Sequence, residues 1–275
     1  MTTIRPYRSG FCGLSNDGAS HRRCPGHYRG EECGCSCHAA PAVTTPSAGL
    51  RVIDVEQRTD EWYAARCGMV TASAVGALLT PTLKVAANEG SRGLTATLVG
   101  ERITGHVEPT GITPDMWRGI EDEPHAIDAY TRHYGRAVAE CGFMVRTIEP
   151  EDFPAFEVGY SPDGLVGGDG LVEVKCPRAK GHITTVLADQ VPTYYMAQIQ
   201  CALLVSGRAW ADYVSYHGGL PLYVKRVLPD PDWQAAIVAA VAACEDAAAV
   251  MQASFNEATT GLAVTERTLE VEMRI

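Results

Sequence analysis

The stretch SPDGLVGGDGLVEVK, residues 161–175, governs how this chain is read. Its first four residues have turn composition, and a short aromatic-rich segment before them, residues 155–160, reads as a strand. Residues 171–175 alternate, so a second strand puts Glu173 and Lys175 on one face and Val172 and Val174 on the other. The glycines between (Gly164, Gly167, Gly168 and Gly170) allow a hairpin that carries Asp163 back beside them. Two carboxylates and a lysine drawn to one point are costly to desolvate unless something compensates them. A hard divalent cation, Mg2+ or Mn2+, would do so, because it takes one or two carboxylates together with substrate phosphate. Such a cation polarises a phosphate and acidifies a bound water, and Lys175 is suited to position that water or to stabilise developing charge. An isolated D…ExK is usually a surface salt pair; the strand-turn-strand setting is what separates this one.

Working outward, periodicity predicts a helix from Thr59-Asp60-Glu61 to about Gly68, and a second over residues 71–79. Residues 91–103 read as another helix, and residues 117–134 as a further one, interrupted or begun at Pro124. After the central stretch, residues 193–205 return to helical spacing with Tyr194, Ala197, Cys201 and Leu204 on one face. Residues 209–216 and 222–228 read as strands, and residues 230–258 as a long Ala-rich helix. Helices, strands, a helix crossing between strands and a closing helix make a mixed α/β domain over residues 50–275. No apolar run in the sequence reads as long enough to cross a bilayer, and residues 1–10 lack the apolar core of a signal peptide, so a cytoplasmic protein is expected.

Four segments in order resemble the YqaJ-like viral recombinase branch of the PD-(D/E)xK nucleases, which includes the phage lambda-type exonucleases. They are WYAARCGMVTAS (residues 62–73), GIEDEPHAIDAY (119–130), SPDG with the E-x-K strand and Cys176-Pro177, and YMAQIQ (195–200). The resemblance implies a restriction-endonuclease-like core, a mixed central sheet flanked by helices. It implies Asp163 and Glu173 as metal ligands with the Val174 carbonyl, and Lys175 as the catalytic lysine. Glu123 completes the metal site; Glu121 and Asp122 compete with it by register, but only Glu123 leaves Gly119 and Ala126 in place. Gln198 falls near the catalytic centre. Arg66 and Ser73 match contacts to a terminal 5′-phosphate, with Ser161 as another candidate; a planar guanidinium and neutral hydroxyls are suited to that ligand. The family's arginine just beyond the Cys-Pro pair falls here near Gly181, with Arg178 and Lys180 as substitutes. The implied activity is Mg2+-dependent 5′→3′ digestion of double-stranded DNA ends. It would leave 3′ single strands for a single-strand annealing protein, with the enzyme acting as a ring-shaped homotrimer in a host cytoplasm. A structure-specific or single-strand endonuclease on the same core, and a non-catalytic DNA-binding scaffold, are the alternatives; the intact Asp163, Glu173 and Lys175 argue against the scaffold.

The chain carries a net charge of −10. Residues 1–50 hold five Arg against three Asp/Glu, which leaves 18 basic and 30 acidic groups in the other 225 residues. Simple coating of nucleic acid is thereby disfavoured, and any DNA surface must be local. Residues 1–38 differ from the rest, with Cys12, Cys24, Cys33, Cys35, Cys37 and His38 in 27 residues and His21 and His27 to spare. Four such soft ligands suit structural Zn2+, and the segment has too few apolar residues to fold without one. An iron–sulfur cluster fits less well, because Cys67, Cys141, Cys176, Cys201 and Cys244 are scattered among apolar residues and read as core thiols. Residues 39–49, AAPAVTTPSAG, read as a linker.

Overall fold

The structure is a computed structural model that describes residues 27–28, 31–32, 49–108 and 111–267. The expected zinc ligands Cys12, Cys24, Cys33, Cys35, Cys37 and His38 lie outside the described residues. A short antiparallel pair, β1 (His27–Tyr28) and β2 (Glu31–Glu32), comes first. Then come β3 (Leu50–Ile53), α1 (Asp60–Arg66), β4 (Val70–Thr71) and a 3-10 turn (Val75–Leu78). Two helices follow, α2 (Glu89–Thr104) and α3 (Pro114–Tyr134). Five strands succeed them: β5 (Val138–Ala139), β6 (Phe143–Ile148), β7 (Phe156–Tyr160), β8 (Gly164–Val166) and β9 (Gly170–Lys175). The chain crosses through α4 (Ala179–Ala188) and α5 (Thr193–Ser206) to β10 (Trp210–Ser215) and β11 (Tyr223–Val227), and α6 (Pro231–Ala258) closes the described fold.

The nine strands from β3 onward form two sheets rather than the one central sheet expected. The first has the order β11-β10-β9-β8-β5, with β9 and β10 parallel and the other pairs antiparallel; the second has the order β3-β6-β7-β4. The cause lies in the Ser161-Pro162-Asp163 turn. It leads the chain out of β7, which pairs with β6 and β4, and into β8, which pairs with β9. The hairpin turn proper is residues 167–169, with Gly167 at φ 56°, a conformation that glycine adopts without a steric penalty.

Strand β9 is buried on both faces, as suits the central strand of a partly parallel sheet. Val172 and Val174 pack with Ala126 and Tyr130 of α3 and with Trp210 and Val214 of β10. On the other face Leu171 joins the main core with Tyr160, Ile199, Cys201, Leu203, Ile237 and Val241. The Val, Leu and Ile side chains among them each contribute roughly 1.5–3 kcal/mol by leaving water. Helix α5 is buried nearly all round, as a helix apolar on all sides must be. Tyr194, expected on its buried face, is instead 71% exposed because it lies in the first turn, before the helix enters the core.

Local chemistry accounts for most helix ends. Asn88 and Ser91 form a capping box at α2, which stops at Gly105 in the left-handed region. Thr113 caps α3, with Pro114 in its first turn, and Gly135 ends it. Pro124 neither begins nor interrupts α3 but sits inside it, exposed, at the cost of one backbone hydrogen bond. The helix expected over residues 71–79 is also corrected. Val70 and Thr71 pair with Val158 and Gly159, and the Ala72 N–H donates to Gly159 O at 2.8 Å, so sheet bonding claims the segment and only the 3-10 turn remains helical. Helix α6 reaches the length and mean hydropathy of a membrane-crossing helix, contrary to the reading of the sequence; its alanines raise the average, while Ile237, Ala240, Val241, Cys244 and Ala248 are buried in the core.

Candidate active site

Glu173 is the hub. Its carboxylate is 1% exposed, and three side chains donate to it. Lys175 Nζ lies 2.6 Å from Oε1, the Gln198 amide donates to the same oxygen, and the Tyr160 hydroxyl donates to Oε2 at 3.2 Å. Alternation along β9 puts Lys175 on the same face, and α5, which packs on that face against Leu171, delivers Gln198. Asp163, just past the end of β7, accepts a hydrogen bond from the Val174 N–H at 2.7 Å. Val174 thus turns its side chain into the α3 contact and its amide toward Asp163.

Burial raises the Asp163 carboxyl well above the ordinary range, and the Glu173 and Glu123 charges add to that against the pull of Lys175. Glu123 is likewise raised by burial, with Arg58 and Lys175 opposing and Glu173 reinforcing. For Lys175, burial works downward, but Glu173 and Asp163 outweigh it and hold the ammonium above its usual value. Of the three acidic neighbours on α3, only Glu123 shares this field. Glu121 accepts from the Trp117 indole at 3.0 Å, and Asp122 pairs with Arg118 at 3.5 Å. Arg58 approaches Glu123 at 3.6 Å.

Among the described residues, no three His, Cys, Asp or Glu side chains are gathered closely enough to hold a metal ion as they stand. The donor chemistry fits one nonetheless. Asp163, Glu173 and Glu123 are hard oxygen donors that repel one another, and the only ammonium among them is drawn onto Glu173. The nearby Cys176 thiol is pushed up to about 12 by burial and by Asp122 and Glu123, so it stays protonated and is a poor ligand.

The phosphate-binding candidates form a second group. The Arg66 guanidinium stacks on Trp62, 4.2 Å from the ring centroid, and donates to the Thr71 hydroxyl at 3.4 Å. Thr71 and Ser73 hydroxyls lie 3.2 Å apart, and the Trp62 indole N–H donates to Ser161 Oγ at 2.7 Å. Arg66, Ser73 and Ser161 are therefore joined through Trp62 and Thr71. Arg178 and Lys180, at the start of α4, are exposed, and Arg178 is tied to Asp115 at 2.7 Å. Sequence reading did not single out Tyr160 or Arg58, and it gave no role to Thr71 or Tyr195, which lie in the matched segments 62–73 and 195–200. A tyrosine in an aromatic strand reads as packing, and only the pairing of β4 with β7 turns Thr71 toward Arg66.

Residues 61–209 match the YqaJ-like viral recombinase domain family, slightly more than half of the chain. The chain belongs to that family. Among solved structures, an alkaline exonuclease (LHK-Exo) from Laribacter hongkongensis is 34% identical, with a TM-score of 0.63 over 74% of this chain and 100% of that one. The same exonuclease in complex with dAMP gives 33% identity and a TM-score of 0.64 at the same coverage. A phage-related exonuclease from Haemophilus somnus 129PT shares the fold, with 12% identity and a TM-score of 0.53 over 68% of this chain and 96% of that one. No curated protein matches the chain. The family's mixed α/β fold thus brings Asp163, Glu173, Lys175 and Gln198 together here, with Glu123 in their field and the Arg66–Ser73–Ser161 group beside Trp62.

Proposed function

We propose that this protein is a divalent-metal-dependent DNA exonuclease that digests duplex ends 5′→3′ and leaves 3′ single strands. The observation that carries the reading is the convergence of Lys175, Gln198 and Tyr160 on the buried Glu173 carboxylate, with Asp163 alongside. The likeness to an alkaline exonuclease, one structure of which holds dAMP, supports it: deoxynucleoside monophosphate is what end-digestion releases.

Asp163, Glu173, Glu123 and the Val174 carbonyl would hold Mg2+ (or Mn2+), which when bound polarises the scissile phosphate and acidifies a coordinated water. Lys175 places the attacking oxygen and stabilises charge that develops on the phosphate. Gln198 and Tyr160 fix the Glu173 carboxylate in one orientation. Arg66, Ser73 and Ser161 receive the terminal 5′-phosphate, with Arg178 and Lys180 standing in for the arginine missing at Gly181. The 3′ strand passes to a single-strand annealing protein in the host cytoplasm, and the enzyme works as a homotrimer around DNA. Zn2+ on the Cys12–His38 set is proposed on composition alone, and metal analysis of the purified chain tests it.

The deciding experiment uses linear duplex with one labelled, phosphorylated 5′ end, beside a covalently closed circle, with Mg2+ and with Mn2+. Labelled mononucleotide from the linear DNA alone, lost by 100-fold or more (~3 kcal/mol in the barrier) in Lys175→Ala, is the expected result. Nicking of the circle would indicate an endonuclease. Silence on both substrates would leave a DNA-binding scaffold.

A further inference from the structure

Helix α5 reaches the candidate centre twice. Gln198 donates to Glu173, and three residues earlier Tyr195 turns its ring toward Lys175, whose Nζ stands 5.4 Å from the ring centroid. Residues three apart share a helix face, so one helix supports the carboxylate and its lysine together. The Tyr195 ring is itself braced. It meets Tyr194 at 4.3 Å and Tyr213 at 5.8 Å between centroids, and Tyr213 is fully buried on β10, opposite Glu173 in the β9–β10 register.

This brace has a use that packing alone does not need. Lys175 and Gln198 both occupy Oε1 of Glu173, an oxygen that the proposed chemistry requires for other work. An ammonium with a single strong acceptor stays on it. An aromatic face within about 6 Å attracts a cation without using any carboxylate lone pair. It can hold Lys175 near the centre when Glu173 is engaged elsewhere. We propose that Tyr195 is a positioning residue whose ring face, not its hydroxyl, keeps the Lys175 ammonium at the reacting phosphate.

The proposal rests on the nuclease reading, and two readouts separate them. In the first, Tyr195→Leu lowers kcat on duplex ends tenfold or more with KM within twofold, while Tyr195→Phe stays within twofold of wild type in both. Circular dichroism melts check folding, and Tyr195→Met serves as the ringless variant if leucine unfolds the chain. The second needs no activity. The chain has four lysines, Lys84, Lys175, Lys180 and Lys225, so 13C-lysine labelling gives few Cε signals, and Lys175→Ala identifies the one required. That signal's protons shift upfield in wild type and Tyr195→Phe, and move back in Tyr195→Leu. An unshifted Lys175 signal in wild type, or full kcat in a folded ringless variant, overturns the proposal. Loss in Tyr195→Phe equal to that in Tyr195→Leu transfers the role to the hydroxyl and overturns it too. A ring-shifted lysine in a wild type that cuts no DNA keeps the contact and sinks the nuclease reading instead.

Discussion

A carboxylate as buried as Glu173 persists because three donors satisfy it, whereas Asp163 has one backbone N–H and two acidic neighbours. Burial and then Glu173 hold Asp163 well above the ordinary range, while the unfolded chain loses that proton near pH 4. Between those values the native state binds the extra proton, so stability from this site is full below about pH 4 and is lost as pH rises through the folded value. In metal-free buffer the wild-type Tm should therefore fall relative to Asp163→Asn from pH 4 to pH 8. Mg2+ should restore it in wild type alone, by about 2.7 kcal/mol at a hundred times its Kd. A difference in Tm that ignores pH would dismiss the uncompensated pair. At the other group, Arg66→Lys loses both the planar fork and the stacking on Trp62. The ratio of kcat/KM for 5′-phosphorylated over 5′-hydroxyl ends should drop about tenfold, or ~1.4 kcal/mol; an unchanged ratio would remove Arg66 from phosphate binding. The Glu173–Lys175 juxtaposition was legible because strand alternation is local. Tyr160 was not, since its hydroxyl meets Glu173 only when β7 and β9 approach from different sheets.

Elements were readable where their signals are local. The start of α1 at Thr59 and the glycine turn of the β8–β9 hairpin lie in a few adjacent residues, whereas the Asn88 cap of α2 and the Thr113 cap of α3 precede the starts expected at residues 91 and 117. Strand β6 went unread because Phe143–Ile148 is a short run with no polar alternation until its end, and α4 because its apolar residues face outward. Within β9, Gly170 has no room for a side chain, since a Cβ would run into the Trp210 indole. Gly170→Ala should cost about 1–3 kcal/mol by overpacking, seen as a lower urea midpoint. Pro124→Ala should act in the opposite sense, raising that midpoint by about 1 kcal/mol as α3 regains a backbone donor. A lower midpoint for Pro124→Ala would mean that the proline holds a bend on which Glu123 depends.

For the whole molecule, a net charge of −10 has to be reconciled with a polyanionic substrate. If Arg66, Arg178 and Lys180 supply the phosphate contacts, binding of a duplex end should weaken with salt with a log–log slope of about −3 per protomer, from roughly 0.9 per phosphate. Three protomers around one duplex would steepen it to about −8. Fluorescence anisotropy with Lys175→Ala, beside sedimentation of the free protein, measures both; a slope near zero would remove the three cations from the interface. The sequence by itself determined the mixed α/β class, the hairpin bearing Glu173 and Lys175, and the four ordered segments of the family, because each is written in neighbouring residues. Only the tertiary structure decided that the strands split into two sheets, that Arg58 and Tyr160 reach Glu123 and Glu173, and that Gln198 and Tyr195 close on Glu173 and Lys175. Those outcomes depend on residues far apart in the chain meeting across buried faces, and packing, not local pattern, sets which of them meet.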